Sequence, residues 1–373
     1  MSNSSLSVTE LDRYARHLSL KQVGIAGQLR LKASRVLLIG AGGLGSPAAA
    51  YLAAAGVGYL TIADGDVVEV SNLQRQILYE AHDVGAKKAV VAVARLERAN
   101  PEITIKCYPH FIGEDNVNDL VSEHDIVIDG SDSFTTRYLV NDSCVAYGKP
   151  LIFGSVLKFQ GQVTLLNYMD GPCLRCIFPT QPDSRHLPSC SETGVIGVVP
   201  STIASIQVTE ALKVLLGIGN TLSGRLVAVD SLGMRFSELA LVRNDNCICC
   251  ANRSTEAATE IIASYRSRDL DMSRQPLSKS PAELKHLLAD EFGMHVIDVR
   301  SAEEHSFSAI PTSKNIPLLE LQTSDLELGK QEVIVVYCQS GTRSAIAQQT
   351  LISQGFTNVF DLQGGMERWT EMG

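Results

Sequence analysis

The sequence predicts an α/β protein, a doubly wound Rossmann-like parallel sheet followed by a small second α/β unit. Three observations carry that prediction. Arg35-Val-Leu-Leu-Ile39 is a continuous apolar run that passes directly into Gly40, Gly42, Gly43 and Gly45, the pattern of a strand buried on both faces that feeds a tight turn. Short apolar runs then alternate with helical or turn sequence as far as Asp129. A second strand-to-helix turn, after Val333 to Tyr337, carries a cysteine.

Composition sets bounds on function. The chain has 373 residues, enough for two domains, and a net charge of −9 without a dense Lys/Arg block, so nucleic acid is not expected as a direct partner. MSNSSLSVTELDRYARH lacks a basic segment followed by an apolar core. The longest apolar stretches, 47 to 63 and 194 to 217, are broken by Pro, Gly or charge. The chain therefore reads as soluble and cytoplasmic, with no membrane partner. In that setting nine cysteines argue for metal ligation or thiol chemistry rather than a disulfide framework.

Ser7-Val-Thr-Glu10 has the form of a capping box, and Leu11, Tyr14, Ala15 and Leu18 keep helical spacing, which leaves Arg13, Arg16 and His17 partly on a polar face. After the first strand, 46 to 55 reads as a helix with Pro47 in its first turn. Its unpaired N–H groups and positive dipole end face the glycines, a place for phosphate. Tyr59 to Ala63 is the second strand and ends in Asp64, about 20 residues beyond the glycines, where an acid that bonds a ribose hydroxyl is expected. The loop DVVEVSNLQRQIL, 66 to 78, holds Arg75, and a helix expected from Val84 to Ala99 holds Lys87 and Lys88. Strands at Ile103 to Cys107 and Asp125 to Asp129 follow. The latter runs into Gly130-Ser-Asp132-Ser133, which places Asp132 on the same rim as the glycines and Asp64.

From Leu151 the period changes to two, and LIFGSV and GQVTLLNY read as antiparallel strands leading to Cys173-Leu-Arg-Cys176. A polar stretch, Phe178 to Thr193, contains Cys190; a long helix, Gly197 to Leu216, and strands at Arg225 to Val229 and Arg235 to Leu241 precede Cys247-Ile-Cys249-Cys250. Residues 251 to 280 are polar and lack apolar periodicity, the mark of a linker. The expected domains are thus 1–250 and 281–373. In the second, Pro281 to Leu288 and Ser344 to Ser353 read as helices, and His295 to Val299 and Val333 to Tyr337 as strands.

Three constellations carry chemistry. A triphosphate needs cations, and Arg75, Lys88 and Arg16, with Asp132 to hold Mg²⁺, suit ATP better than NAD. The plainer alternative for each cation is a solvated ion pair, and Asp64 and Asp132 could be capping aspartates. Cys173 and Cys176, with Cys247 and Cys250, are two matched CxxC pairs that can supply four thiolates to one closed structural Zn²⁺; Cys249 lies inside the second pair, so a ligand swap is conceivable. Cys338 opens a loop whose N–H groups and following helix favour a thiolate, and Arg343 closes it at a Cys-x4-Arg spacing, a ring sized for a sulfane sulfur. Cys107 and Cys144 read as inert buried thiols. Cys190 reads equally as inert or as an exposed reactive thiol.

With these motifs in place, the chain resembles the E1-like activating enzymes of sulfur-carrier proteins, the MoeB/ThiF family. Specifically, it looks like the form fused to a C-terminal rhodanese domain found in molybdopterin-synthase sulfurylases (MoeZ/MOCS3/Uba4-like). The resemblance covers nearly the whole chain and implies ATP-dependent adenylation of the C-terminal glycine of a ubiquitin-like carrier (MoaD/ThiS-like, ending in Gly-Gly). Sulfur transfer from a donor such as a cysteine desulfurase or thiosulfate then gives a thiocarboxylate. By position Gly43 of the Gly40/Gly42/Gly43 turn, Asp64, Ser71, Asn72, Leu73, Gln74, Arg75, Lys88, Asp132 and Ser133 match ATP-binding residues, and Arg16 matches an arginine that reaches across a homodimer. Cys173, Cys176, Cys247 and Cys250 match zinc ligands, Cys190 a cysteine proposed to form a carrier thioester, and Cys338 the persulfide cysteine. Ile297-Asp-Val-Arg300, Asn315-Ile-Pro317 and Gly364-Gly365 are similar to rhodanese segments. Ser133 departs from the pattern, since the family usually has Asn there. Two rival readings remain, an NAD-dependent oxidoreductase and a zinc-stabilised partner-binding scaffold whose second module is not catalytic.

Overall fold

The structure is a computed structural model that describes residues 5–181, 194–251, 278–289, 293–321, 326, 328–339 and 341–371. Cys190 and all but the ends of the expected linker lie outside the described residues. The chain divides into two compact units.

The first unit is built on an eight-stranded sheet in the order β3-β2-β1-β4-β5-β6-β7-β8. Its strands are β1 Arg35–Ile39, β2 Tyr59–Ala63, β3 Thr104–Tyr108, β4 Ile126–Asp129, β5 Leu151–Leu157, β6 Gln160–Leu166, β7 Arg225–Asp230 and β8 Arg235–Ala240. Strands β3 to β5 pair in parallel, and β5 to β8 are antiparallel. The strand order reverses between β1 and β4, with Ile39 beside Asp129, so a crevice opens at the carboxyl ends of these two strands. The glycine turn stands there.

β1 owes its central place to its apolar faces. Val36 and Leu38 are buried against Ala48, Ala49 and Leu52 of the helix Gly45–Ala55 and against Ala204 and Val208 of the helix Val198–Leu216. Leu37 and Ile39 are buried on the opposite face. Each such side chain contributes about 1.5–3 kcal/mol relative to exposure. The helix Gly45–Ala55 is made of small residues and lies close to the sheet. A Cβ on Gly45 would stand 1.8 Å from the Gly40 carbonyl oxygen, and Gly40 itself has φ +83°, so neither position accepts a side chain without rebuilding the turn.

The predicted strands of this unit are present within a residue or two, and the antiparallel β5–β6 pair is as expected. Two helical expectations need correction. The N-terminal segment forms two short helices, Val8–Arg13 and Ala15–Leu18, interrupted at Tyr14, whose buried hydroxyl accepts a hydrogen bond from Asn100 Nδ2 at 2.9 Å; the capping box at Ser7 and Glu10 is formed. The helix expected from Val84 begins at Lys88, because a 3₁₀ turn at Ala81–Asp83 and a bridge between Val67 and Lys87 occupy the preceding residues.

The second unit is an all-parallel five-stranded sheet in the order β11-β10-β12-β13-β9. It comprises β9 Ser278–Lys279, β10 Met294–Asp298, β11 Lys314–Asn315, β12 Val333–Tyr337 and β13 Asn358–Leu362. Because β9 pairs with β13, Ser278 and Lys279 belong to this unit rather than to a linker reaching 280. Central β12 is buried on both faces, Ile334 and Val336 against Ala347 and Leu351, and Val335 and Tyr337 against Leu284, Val296 and Met366. Among the described residues no helix is long and apolar enough to cross a membrane.

Candidate active site

The glycine turn is braced from three sides. Asp64, at the end of β2, accepts the Ala41 N–H at 2.7 Å on Oδ2 and the Asp66 N–H at 2.8 Å on Oδ1. The Ala41 carbonyl accepts from Ser46 Oγ at 2.9 Å and from the buried Tyr79 hydroxyl at 2.8 Å. Asp64 therefore has the capping role that the sequence left open, and its carboxylate oxygens keep lone pairs for a further donor such as a ribose hydroxyl.

The loop after β2 covers this turn. Arg75 lies over it, its Cδ 3.5 Å from where a Cβ on Gly43 would stand, and its Nη1 donates to the Ser71 carbonyl at 3.0 Å. Buried Asn72 accepts the Glu69 N–H and fixes the 3₁₀ turn Val70–Asn72, half-buried Leu73 packs on the core, and exposed Ser71 donates to Glu69. The carbonyl of exposed Gln74 sits so close to Gly197 that a Cβ there would be 2.2 Å away, so the start of the helix Val198–Leu216 backs the loop. Gln76, 4% exposed, faces Gly42, and its Oε1 has no hydrogen-bond partner among the described residues.

Lys88 is 6% exposed and its ammonium pairs with Asp66 at 3.1 Å, next to Asp64, so a buried cation is held near the strand ends. Asp132 is exposed on the β4 rim. Ser133 caps the helix Phe134–Ala146, its Oγ accepting the Thr136 N–H at 3.4 Å, which gives this departure from the family pattern a structural role. Arg16 is exposed on the N-terminal helix Ala15–Leu18. Sequence reasoning missed Arg137. It donates to the Ser131 carbonyl at 2.7 Å and the Gly154 carbonyl at 3.2 Å, shaping the turn that bears Asp132. Its signal was a basic residue inside an apolar helix.

The four knuckle thiols come together. Sγ–Sγ distances are 3.9 Å for Cys173–Cys176, 3.6 Å for Cys173–Cys247 and 3.3 Å for Cys176–Cys250, and all four sulfurs lie within 4.8 Å of one another. A tetrahedron with Zn–S near 2.3 Å has edges of about 3.8 Å, so this donor set fits zinc. Cys249 is not part of the tetrahedron: its thiol donates to Asp142 Oδ1 at 3.2 Å, and the conceivable ligand swap is not supported by its placement. Asp142 also takes both arms of Arg175, at 2.8 and 2.7 Å, in a fully buried pair that ties the first knuckle to the helix Phe134–Ala146. The arginine within Cys-Leu-Arg-Cys was its only sequence signal. Cys107 is half-buried on β3 and Cys144 fully buried, and burial pushes both thiols up, in keeping with inert roles.

The loop after β12 closes on its own sulfur. Cys338 is 1% exposed, and its Sγ accepts the Gly341 N–H at 3.1 Å and the Ser344 hydroxyl at 3.5 Å. Gly341 has φ +105°, a conformation open to glycine, and the helix Thr342–Ser353 starts immediately after it. From behind, Met366 N donates to the Cys338 carbonyl at 2.8 Å and Glu367 N to the Gln339 carbonyl at 3.0 Å, which is the work of the Gly364-Gly365 turn. Arg343, expected to close the cradle, is anchored by Glu304. Its guanidinium forms two 2.7 Å bonds to Glu304, whose carboxyl is pushed up by burial but held below its usual range by that pair. A second pair, Asp298–Arg300 at 2.7 Å and this one buried, reaches the loop through Arg300 Nη1 and Gln339 Oε1 at 3.2 Å, and Asn315 Nδ2 donates to the carbonyls of both Asp298 and Arg300 at 3.0 Å. Ile297-Asp-Val-Arg300 and Asn315-Ile-Pro317 thus act as a brace for the cysteine loop.

Residues 14–250 match the ThiF family, and residues 280–372 match the rhodanese-like domain. The chain belongs to the ThiF family. Over 252 residues it is 47% identical to the sulfur carrier protein adenylyltransferase of Thermus thermophilus, covering 66% of this chain and 93% of that protein. Over 380 residues it is 37% identical to the probable adenylyltransferase/sulfurtransferase MoeZ of Mycobacterium tuberculosis, covering 99% and 95%. The crystal structure of E. coli MccB with ATP shares the fold, with a TM-score of 0.54 at 22% identity, over 64% of this chain and 75% of that one. Within the ThiF domain, then, the β1/β4 crevice gathers the glycine turn, Asp64, Arg75 and the Lys88–Asp66 pair, while the rhodanese-like domain presents Cys338 at the end of its central strand.

Proposed function

We propose that this ThiF-family enzyme, an adenylyltransferase and sulfurtransferase, activates the C-terminal glycine of a ubiquitin-like sulfur-carrier protein and converts it to a thiocarboxylate. The observation that carries the reading is the pairing, in one chain, of a cation-covered glycine turn with a cysteine whose sulfur is already capped by a backbone N–H at 3.1 Å. Its full-length likeness to a protein named adenylyltransferase/sulfurtransferase supports the same pairing.

In the first step the N–H groups of the turn and the start of the helix Gly45–Ala55 receive phosphate, and Arg75 and Lys88 offset charge on the triphosphate. Asp64 takes a ribose hydroxyl, and Asp132 is the residue that would hold Mg²⁺, which supplies further charge neutralisation when bound. A carboxylate oxygen of the carrier bonds to the α-phosphorus as the bond to the pyrophosphate oxygen breaks, and pyrophosphate leaves with the electron pair. In the second step the Cys338 thiolate attacks the sulfane sulfur of a donor, sulfite leaving with the pair when the donor is thiosulfate. The terminal sulfur of the resulting persulfide attacks the acyl carbon and AMP leaves. A second thiol must then exchange with Cys338 to release the thiocarboxylate, and Cys190 is a candidate. Cys173, Cys176, Cys247 and Cys250 would hold Zn²⁺ as a structural cross-link, since four thiolates leave no open position. A homodimer in the cytoplasm, with Arg16 serving the partner's site, completes the reading.

The test is ATP–pyrophosphate exchange with candidate carriers ending in Gly-Gly, followed by weighing each carrier after incubation with ATP, Mg²⁺ and a sulfur donor. Carrier-dependent exchange and the replacement of one carboxyl oxygen by sulfur are expected. Exchange with no carrier tested, or a carrier that never gains sulfur, would overturn it.

A further inference from the structure

Asp132 is an exposed residue set between two neighbours that are fixed in place. Every polar group of Ser131 is taken. Its N–H and its hydroxyl both donate to Asp129 Oδ1, at 2.9 and 2.7 Å, and its carbonyl accepts from Arg137, at 2.7 Å from Nη2 and 3.3 Å from Nε. Ser133, on the other side, caps the helix Phe134–Ala146. Gly130 donates its N–H to the Ile39 carbonyl at 2.8 Å, and its own carbonyl oxygen stands 2.8 Å from where a Cβ on Gly40 would be, so the clamped turn lies against the glycine turn. The Asp132 carboxylate has no ion pair or hydrogen bond among the described residues, which leaves its oxygens to a hard cation.

Asp129 and Arg137 are both buried, yet they are not arranged around each other. Arg137 Nε is 3.8 Å from Asp129 Oδ2, beyond hydrogen-bond reach, and Oδ2 has no hydrogen-bond partner among the described residues. The guanidinium is spent instead on carbonyls, that of Ser131 and, from Nη2 at 3.2 Å, that of Gly154 on β5, and it lies 5.0 Å from the Phe153 ring centroid and 5.7 Å from that of Phe134. A charge pair buried for stability needs close mutual geometry to offset its desolvation. Here the two charged groups grip the backbone of one residue from opposite sides.

We propose that Asp129 and Arg137 are positioning residues for the metal-dependent step: together they fix Ser131 and so hold the Asp132 carboxylate in the turn that abuts the glycine turn. The proposal rests on the reading of Asp132 as the residue that holds Mg²⁺. A carboxylate on a loose turn must be ordered each time the cation arrives, whereas one whose neighbours are already fixed binds at a lower ordering cost. Lysine cannot stand in for Arg137. A single ammonium on a flexible stem does not present the planar fork that reaches the Ser131 and Gly154 carbonyls at once.

The experiment measures, by calorimetry on the full chain, the affinity for an ATP analogue with a methylene group between the α- and β-phosphorus over a range of Mg²⁺ concentrations, so that no turnover enters the reading. The variants are Arg137→Lys, Arg137→Met and the double variant Arg137→Met/Asp129→Asn, which removes the buried charge that Arg137→Met leaves without its counter-charge. Each should raise the Mg²⁺ concentration for half-maximal affinity by about tenfold, the low end for losing a group that orients a metal ligand. At saturating Mg²⁺ the affinity should return to within about threefold of the wild type, less than one hydrogen bond is worth. The double variant should melt higher than Arg137→Met and still need the added Mg²⁺, which a purely structural role would not produce. An unchanged Mg²⁺ requirement in the folded variants, a loss of affinity that saturating Mg²⁺ does not recover, or a requirement that returns to the wild-type value together with the melting temperature overturns the proposal. Asp132→Ala tests the underlying reading separately and should raise the requirement at least as far. If it does so while the Arg137 variants do not, the clamp is wrong and the reading of Asp132 stands; if Asp132→Ala leaves the requirement unchanged, both fall.

Discussion

The two units use one device for opposite ends. In each, a central parallel strand buried on both faces runs into a glycine-bearing turn and then a helix N-terminus: β1 into Gly40–Gly45 and the helix Gly45–Ala55, β12 into Cys338–Gly341 and the helix Thr342–Ser353. In the first the turn is mostly glycine and bears no polar side chain, and its charge partners come from other segments, Arg75 from the loop after β2 and Lys88 paired to Asp66. In the second the first turn position is the cysteine itself, and the N–H of Gly341 points at its sulfur. A strand-to-helix turn is thus a site for an incoming anion when its own atoms stand aside, and a seat for a nucleophile when one side chain fills it. The surrounding ion pairs differ accordingly. Those of the second unit, Arg343–Glu304 and Arg300–Asp298, are closed within the loop's own support.

The sharpest way to break this comparison is to disrupt the cluster proposed to hold zinc, because only the first unit has a metal-sized thiol cluster among the described residues. A structural zinc is worth about 10 kcal/mol or more in apparent binding energy. Cys173→Ser should therefore drop zinc content below one per chain and melt the ThiF domain early in calorimetry, while Cys338 keeps its alkylation rate. Unchanged zinc content would remove the cluster from the account.

Next in size is the exchange of defects between the two turns. Arg75→Ala should lower pyrophosphate exchange about 10²–10³-fold, the usual cost of one preorganised charge-stabilising group. Cys338→Ala should keep exchange and fail to form thiocarboxylate from thiosulfate. Equal loss of exchange in both folded variants would mean that the units do not divide the steps as drawn.

The smallest effect separates capping from ligand binding at the rim. If Ser133 serves chiefly as the cap of the helix Phe134–Ala146, Ser133→Ala should cost about 1 kcal/mol of stability. Apparent KM for ATP should then move less than about threefold, a shift smaller than one hydrogen bond is worth. A tenfold rise in KM with unchanged melting would return Ser133 to the nucleotide.

What the sequence by itself determined is whatever chemistry ties to short spacing. An apolar run ending in glycines can only be a buried strand meeting a tight turn, two CxxC pairs present matched thiols, and a cysteine between strand and helix meets backbone N–H groups; β1, β12, the four knuckle cysteines and Cys338 were all legible on those grounds. Helices without a clean apolar period were not. Gly24–Ala33, with two glycines and mixed faces, and the short strand Asn358–Leu362 are held by what packs on them rather than by their own pattern. Tertiary structure alone decided the partners of charge. Glu304 meets Arg343 across 39 positions, and Asp142 meets Arg175 across 33. It also decided that Cys249 turns to Asp142 rather than into the four-thiol cluster. Burial makes an ion pair costly unless its partner arrives in register, and which residue arrives is a property of the folded sheet, not of any window of sequence.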